Sequence, residues 1–268
     1  MSVPAAALRR RAALCAAAGL LFASGLDAGQ TGASRRRVAV AAASDLQFAM
    51  PELAGRFRRD RPDLELRVTY GSSGNFFAQI VGGAPFDVLL SADVADVSRL
   101  GARGLVLPGS EFVYAVGRLV LWVPGGSPID LRRGLAALGD PSIRRIAIAN
   151  PRHAPYGRAA EAALRSAGVY DAVRSRLALG ENVAQAAQFV QSGAADAGLI
   201  ALSLAVSPEL SRSGRHVEVA PGTYARIEQG GAVLARTGDP EAARAFAAFL
   251  VSPEARAVLE RFGFELPS

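Results

Sequence analysis

Cysteine is almost absent: among 268 residues only Cys15 carries a thiol, and it lies inside a segment that reads as an export leader. Without that segment the chain has no disulfide and no cysteine-based metal site. Histidine is nearly as scarce, with His153 and His216 the only two. His216 follows a polar run, Ser211 to Arg215, that reads as exposed loop. A Ser-His-Asp triad would need one histidine beside a nucleophile elbow, and no G-x-S-x-G is present. H-E-x-x-H, EF-hand and P-loop patterns are missing too, and Gly71-Ser72-Ser73-Gly74 lacks the lysine of a nucleotide-cradling loop. Asp87 and Asp93 read as a strand end and a helix start rather than an acid/base pair. No catalytic set stands, so the chain reads as a protein that is not an enzyme. Nor does any basic stripe interleaved with aromatics appear, which argues against nucleic acid as a partner.

What the amino end does contain is an address. Arg9-Arg10-Arg11 is a basic region, Ala12 to Ala23 an apolar run too short for a membrane span, and small residues follow at Ala23-Ser24-Gly25 and Ala28. Residues 1–28 therefore read as a signal peptide cleaved near 25–28, with a periplasmic product. Arg10-Arg11-Ala12-Ala13-Leu14 has a loose twin-arginine look, whereas Ala12-Ala13-Leu14 before Cys15 fits a lipoprotein box poorly. Removing 1–28 takes away three arginines and one aspartate, lowering the formal charge from +6 to +4. A modest positive excess suits small anions or a membrane surface.

The rest of the chain is built on repeated strand–small polar–helix units. Arg37 to Ala43 is a short apolar strand that meets Ser44-Asp45, both good N-cap residues. Leu46, Ala49, Met50, Leu53 and Phe57 then recur at helical spacing. Leu64 to Tyr70 alternates as a half-buried strand, and Gly71-Ser72-Ser73-Gly74 leads into a helix carrying Phe76, Phe77, Ile80 and Val81. Phe86 to Leu90 is a third strand, delivering Ser91-Ala92-Asp93 to a helix. Three such repeats imply a parallel sheet, whose ligands collect at the carboxyl ends of the strands.

Phe112 to Val123, broken at Gly117-Arg118, reads as two tandem strands crossing from one domain to another. A short helix at 131–138, a strand at 145–149 and the proline-held loop 150–157 follow, with a helix behind the loop. A strand at 176–179, Gly180-Glu181-Asn182 before a helix, a strand at 197–201 and strands near 217–219 and 227–235 continue the chain. Two proline-opened helices close it, at 240–250 and 253–262.

Helix starts at strand ends carry unpaired N–H groups and the positive end of the helix dipole. Four donor-rich junctions, at Ser44, Ser72-Ser73, Tyr156 and Asn182-Val183, would surround a small anion with amides and hydroxyls and no cation. The plainer reading of each is local: Ser44 capping a helix, Tyr156 packing on its proline loop, Asp45 capping with its carboxylate turned away.

Taken in order, these residues resemble the periplasmic molybdate-binding proteins of ABC transporters, among the type II solute-binding proteins. The resemblance runs from about Val38 to Phe264. It rests on Ala41-Ala42-Ala43-Ser44, Tyr70 to Gly74, Gly83 to Asp93, Asn150-Pro151 through Ala154-Pro155-Tyr156-Gly157, Glu181-Asn182-Val183 and Arg261 to Phe264. It implies a two-lobed α/β fold with a mixed, mainly parallel sheet in each lobe and two hinge crossovers near 113–123 and 217–233. Lobe I would take 36–116 and 227–268, and lobe II 117–226.

The resemblance also implies a monomer that captures molybdate, and tungstate as well, and hands it to the membrane permease of an ABC transporter. The oxyanion would be held by Ser44, Ser73, Tyr156 and Val183, with Asp45 beside them. No cofactor is implied, and molybdenum would arrive only as the oxyanion, without direct ligation of the metal. Sulfate and phosphate are the alternative anions, phosphate through an acceptor at Asp45. An enzyme on the same scaffold is a further alternative. Two departures from the family pattern stand out: Ser44-Asp45-Leu46 where many members have Ser-Leu, and Ala201 where many have a ligand-binding tyrosine, a donor that Tyr156 or a residue near Ser203 would have to replace.

Overall fold

The computed structural model describes residues 35–267, so the leader read at 1–28, with Cys15 and the paired arginines, lies outside the described residues. Strand β1 (Arg36–Ala43) runs between β2 (Leu64–Gly71) and β3 (Val88–Ser91), parallel to both. Its Val38, Val40, Ala41 and Ala42 are fully buried. A strand with parallel neighbours on each side and helices on each face has no solvated side, so its sequence is apolar without alternation. Helices α1 (Met50–Asp60), α2 (Ser73–Val81) and α3 (Val94–Gly101) follow the three strands in turn.

From β4 (Phe112–Gly117) the chain crosses through Arg118 into β5 (Leu119–Pro124), the first strand of a second sheet. That sheet is completed by β6 (Ile146–Ala149), β7 (Leu177–Gly180), β8 (Ala197–Ala201) and β9 (Gly214–Glu218). The helices around it are α4 (Pro155–Ser166), α5 (Tyr170–Val173), α6 (Val183–Gln191), α7 (Leu202–Ala205) and α8 (Pro208–Ser213). The chain then returns as β10 (Ile227–Val233), which enters the first sheet between β3 and β4, and ends in α9 (Pro240–Leu250) and α10 (Pro253–Arg261).

The sheet orders are β2-β1-β3-β10-β4 and β7-β6-β8-β5-β9. In each, four of five strands point one way, and the reversed strand is the first one formed after a crossover, β5 in one lobe and β10 in the other. This is the two-lobed, mainly parallel α/β architecture anticipated above. The second lobe holds one core cluster, which also takes in Ala43 and Ala92 from the seam, and the first lobe has a core on each face of its sheet. Phe57 of α1 meets Phe246 of α9 edge-on at 5.3 Å between ring centroids, so the chain's last helices close the core opened by its first.

Three local expectations change. Ser44–Leu46 is a single 3-10 turn, with no side-chain cap, and α1 starts only at Met50. Ser44 and Asp45 therefore cap no α-helix. Residues 131–139 are 3-10 and kinked at Gly134, whose φ is 55°; a left-handed residue in mid-segment stops an α-helix from propagating. The polar run before His216 is not loop but the end of α8 and the start of β9, with His216 paired to Trp122. An edge strand half in solvent has no apolar alternation to read.

Gly157, in the first turn of α4, is pressed against the end of β6. A Cβ there would meet the carbonyl oxygen of Ala149 and lie 2.8 Å from the carbonyl carbon of Asn150. Both obstacles are backbone. Gly157→Ala is expected to lower unfolding stability by about 1–3 kcal/mol, as overpacking does, read from the shift in denaturant midpoint at constant slope.

Candidate functional site

The parallel strands of both sheets aim their carboxyl ends at the seam between the lobes. There β1 delivers Ser44 and Asp45, β2 Ser72 and Ser73, β6 the loop leading to Tyr156, and β7 Asn182 and Val183. These residues line one small, tightly closed cavity at the seam, of about 10 Å³. Ser44, Asp45, Ser73, Tyr156 and Val183 all stand in its wall, and no arginine or histidine does.

The two serines are oriented by what they accept. Ser73 Oγ takes the N–H of Ala92 at 2.9 Å, and Ser44 Oγ takes the N–H of Ala184 at 3.4 Å across the lobe seam. A hydroxyl has one proton to give, and among the described residues neither gives it to the protein. Both are free to donate into the cavity. Ser72 differs: its hydroxyl donates to the carbonyl oxygen of His153 at 2.6 Å and lies 2.9 Å from His153 Nδ1. Ser72 therefore fastens one lobe to the other instead of facing a ligand.

Three helix starts add backbone donors. Pro155 opens α4 and has no N–H, so the amide of Tyr156 is the first that α4 presents. Asn182 caps α6, its Oδ1 accepting from Gln185 N–H at 3.0 Å, while Ala184 is engaged by Ser44. Among the described residues the amide of Val183, at the first position of α6 and in the cavity wall, has no protein partner. Ser73 begins α2, and a first-turn amide has no carbonyl one turn back to donate to. The positive ends of these three helices thus meet at one point, an arrangement suited to an anion.

Asp45 is the one acid in the wall, and it is 1% exposed. Its carboxylate accepts from Gln229 Nε2 and from the Tyr156 hydroxyl. Burial pushes its pKa up to about 6, and the hydrogen bonds from Gln229 and Tyr156 offset part of that rise. Gln229 is itself held by the Tyr114 hydroxyl, which donates to its Oε1 at 2.7 Å. Tyr156 thus turns its amide to the cavity and its hydroxyl to this network, 3.4 Å from Gln229 Nε2. Ser203 donates to the backbone oxygen of Asp45 at 2.8 Å, so its hydroxyl is used within the protein, and Ala201 is wholly buried in β8.

Gln229 and the His153 carbonyl had no place in the sequence reading, and the replacement donor sought near Ser203 is not Ser203 itself, whose hydroxyl is given to the backbone of Asp45. The one available signal was Gln229 itself, a polar residue among inward-facing positions of an apolar strand. The lobes are closed on one another. Gly74 N–H donates to His153 O at 2.9 Å, and Arg158 pairs with Asp93 at 2.5 Å across the mouth. That ion pair is partly exposed, so it adds less than about 1 kcal/mol.

The model of the family described as bacterial extracellular solute-binding protein matches residues 38–265. The molybdate-binding protein ModA of Azotobacter vinelandii is 36% identical over 217 residues, covering 81% of this chain and 85% of that protein. The molybdate-binding protein ModA of Rhodobacter capsulatus is 38% identical, with 74% and 77% covered. Among solved structures, the Azotobacter vinelandii periplasmic molybdate-binding protein superposes with a TM-score of 0.81 at 33% identity, covering 86% of this chain and all of the other.

Proposed function

The chain belongs to the bacterial extracellular solute-binding protein family, and on that premise we propose that it captures molybdate in the interlobe cleft and hands it to the membrane permease of an ABC transporter. The observation that carries this reading is a cation-free cavity whose uncommitted donors come from both lobes. Ser44 and Ser73 bind through hydroxyls and amides, Tyr156 and Val183 through amides, and Asp45 lies beside them. A charge-assisted hydrogen bond contributes about 1.5–3 kcal/mol. Half a dozen of them meet the roughly 8 kcal/mol of a micromolar site after ordering costs.

Because donors sit on both sides of the seam, the site is complete only when the lobes are shut, and opening releases the anion. The lobes divide at 36–116 with 227–268 and at 117–226, and the two crossovers act as hinges. The chain works as a periplasmic monomer after loss of residues 1–28. Among the described residues no helix is long and apolar enough to cross a membrane. It binds without chemistry, needs no cofactor and does not engage nucleic acid.

Tungstate, with the same charge and shape, is bound as well, and because sulfate carries the same charge, selection against it rests on cavity size. Calorimetric titration of the mature chain with molybdate, tungstate, sulfate and phosphate at one salt concentration tests this. Molybdate and tungstate should bind tightly and sulfate weakly. Sulfate binding as tightly as molybdate, or no binding of either, would remove the molybdate assignment and leave the fold untouched.

A further inference from the structure

The single acid in the cavity wall is the group whose charge is hardest to accommodate. Asp45 Oδ2 accepts from Gln229 Nε2, whereas Oδ1 is buried without a partner. A buried ionised carboxylate with an unused oxygen is costly. The groups facing it are the phenols of Tyr114 on β4 and Tyr156 on α4, the side-chain amide of Gln229 on β10 and the backbone N–H groups of Asp45 and Leu46, whereas the Ser203 hydroxyl is spent on the backbone oxygen of Asp45. The other elements packed on this turn, α6 and β2, set no charged group against it. Nothing nearby neutralises the carboxylate, and a dianion entering the same cavity adds two more negative charges.

We infer that the site takes its oxyanion together with one proton from solvent, held on Asp45, so that Asp45 is a carboxylic acid in the loaded protein and a specificity-determining residue for fully deprotonated dianions. The inference rests on the oxyanion-carrier reading above. The proton removes the like-charge repulsion and turns an acceptor in the wall into a donor. It leaves when the anion leaves. With the lobes shut and the cavity empty, burial pushes the Asp45 carboxyl up to about 6. Below that the acid is already protonated, and its contribution to affinity is flat. Above it, binding must draw a proton, and affinity falls by up to about tenfold per pH unit.

Molybdate binding to the mature chain is to be measured by calorimetry at about pH 6, 7 and 8, each in two buffers of different ionisation enthalpy, which yields the protons taken up. The wild type should take up close to one proton above neutrality, with affinity weakening toward higher pH. Asp45→Asn, which keeps shape and a donor but cannot titrate, should bind with no uptake and a flat pH profile. An infrared difference spectrum of the wild type with and without molybdate should gain a protonated-carboxyl band, a readout that needs no variant.

Binding by the wild type without proton uptake overturns the inference. So does an Asp45→Asn protein that keeps the full pH dependence, since the proton would then sit elsewhere. Molybdate failing to bind at every pH would instead sink the carrier reading on which the inference rests, so the two failures are told apart.

Discussion

Gly74→Ala should weaken molybdate binding by about tenfold to a hundredfold while leaving the ligand-free protein at least as stable as the wild type. Gly74 is the second residue of α2, and its N–H donates across the seam to His153 O. A Cβ at this position would lie 2.6 Å from that oxygen and 3.0 Å from His153 Cα. Both atoms are backbone of the opposite lobe, so the obstacle cannot rotate away. Overpacking of this kind costs about 1–3 kcal/mol, which is roughly one to two powers of ten in affinity. Within its own lobe the substitution is favourable, because alanine is better than glycine in a helix by about 1 kcal/mol. The penalty falls on closure alone. Calorimetry of molybdate binding beside thermal unfolding of the free protein separates the two effects. Unchanged affinity would mean that the shut arrangement of the lobes is not the one that binds.

The paired substitution Ser44→Ala with Ser73→Ala should weaken molybdate by at least about 2 kcal/mol, on the order of two hydrogen bonds. In dissociation constant that is about thirtyfold or more. Each hydroxyl accepts a backbone amide, from Ala184 and Ala92, so its own proton is the part left for an anion. Alanine removes that proton and also strands the two amides, which adds a cost to the folded protein. The single substitutions and the pair therefore form a cycle measured in both binding and unfolding, with the binding loss the larger. A pair that bound molybdate as well as the wild type would place the anion elsewhere. Ser72→Ala makes a useful contrast: its hydroxyl is already given to His153 O, so it should disturb closure and leave the direct contacts intact.

Much of the architecture could be read from the chain because strands and helices alternate with clean periodicities. Val38 to Ala43 is apolar throughout, Leu64 to Tyr70 alternates, and the proline-opened helices at the end appear where prolines mark them. The junction at Ser44-Asp45 was harder. Two good capping residues before a helical period predict a helix start, yet the chain makes a 3-10 turn and delays α1 to Met50. That delay turns Ser44 toward α6 of the other lobe and buries Asp45. The partners that define Asp45 are Gln229, 184 residues away, and Tyr156 on another helix. No local pattern announces a bond over that distance. His216 was misplaced for a related reason: polar residues look the same in an exposed edge strand and in a loop.

The position of β10 carries a consequence for how the molecule is made. All five strands of the second sheet lie within residues 119–218, whereas the first sheet lacks a middle strand until 227–233 arrives to fill the gap between β3 and β4. A polypeptide emerging amino end first therefore completes its second lobe while the first still has an open seam of unpaired backbone. Pairing β10 with β3 closes a loop of well over a hundred residues, the kind of non-local contact that forms late and slowly. The sheet that opens the sequence is thus the last that the emerging chain can complete, and the cavity, whose wall comes from both lobes, is expected to form only after that strand is in place.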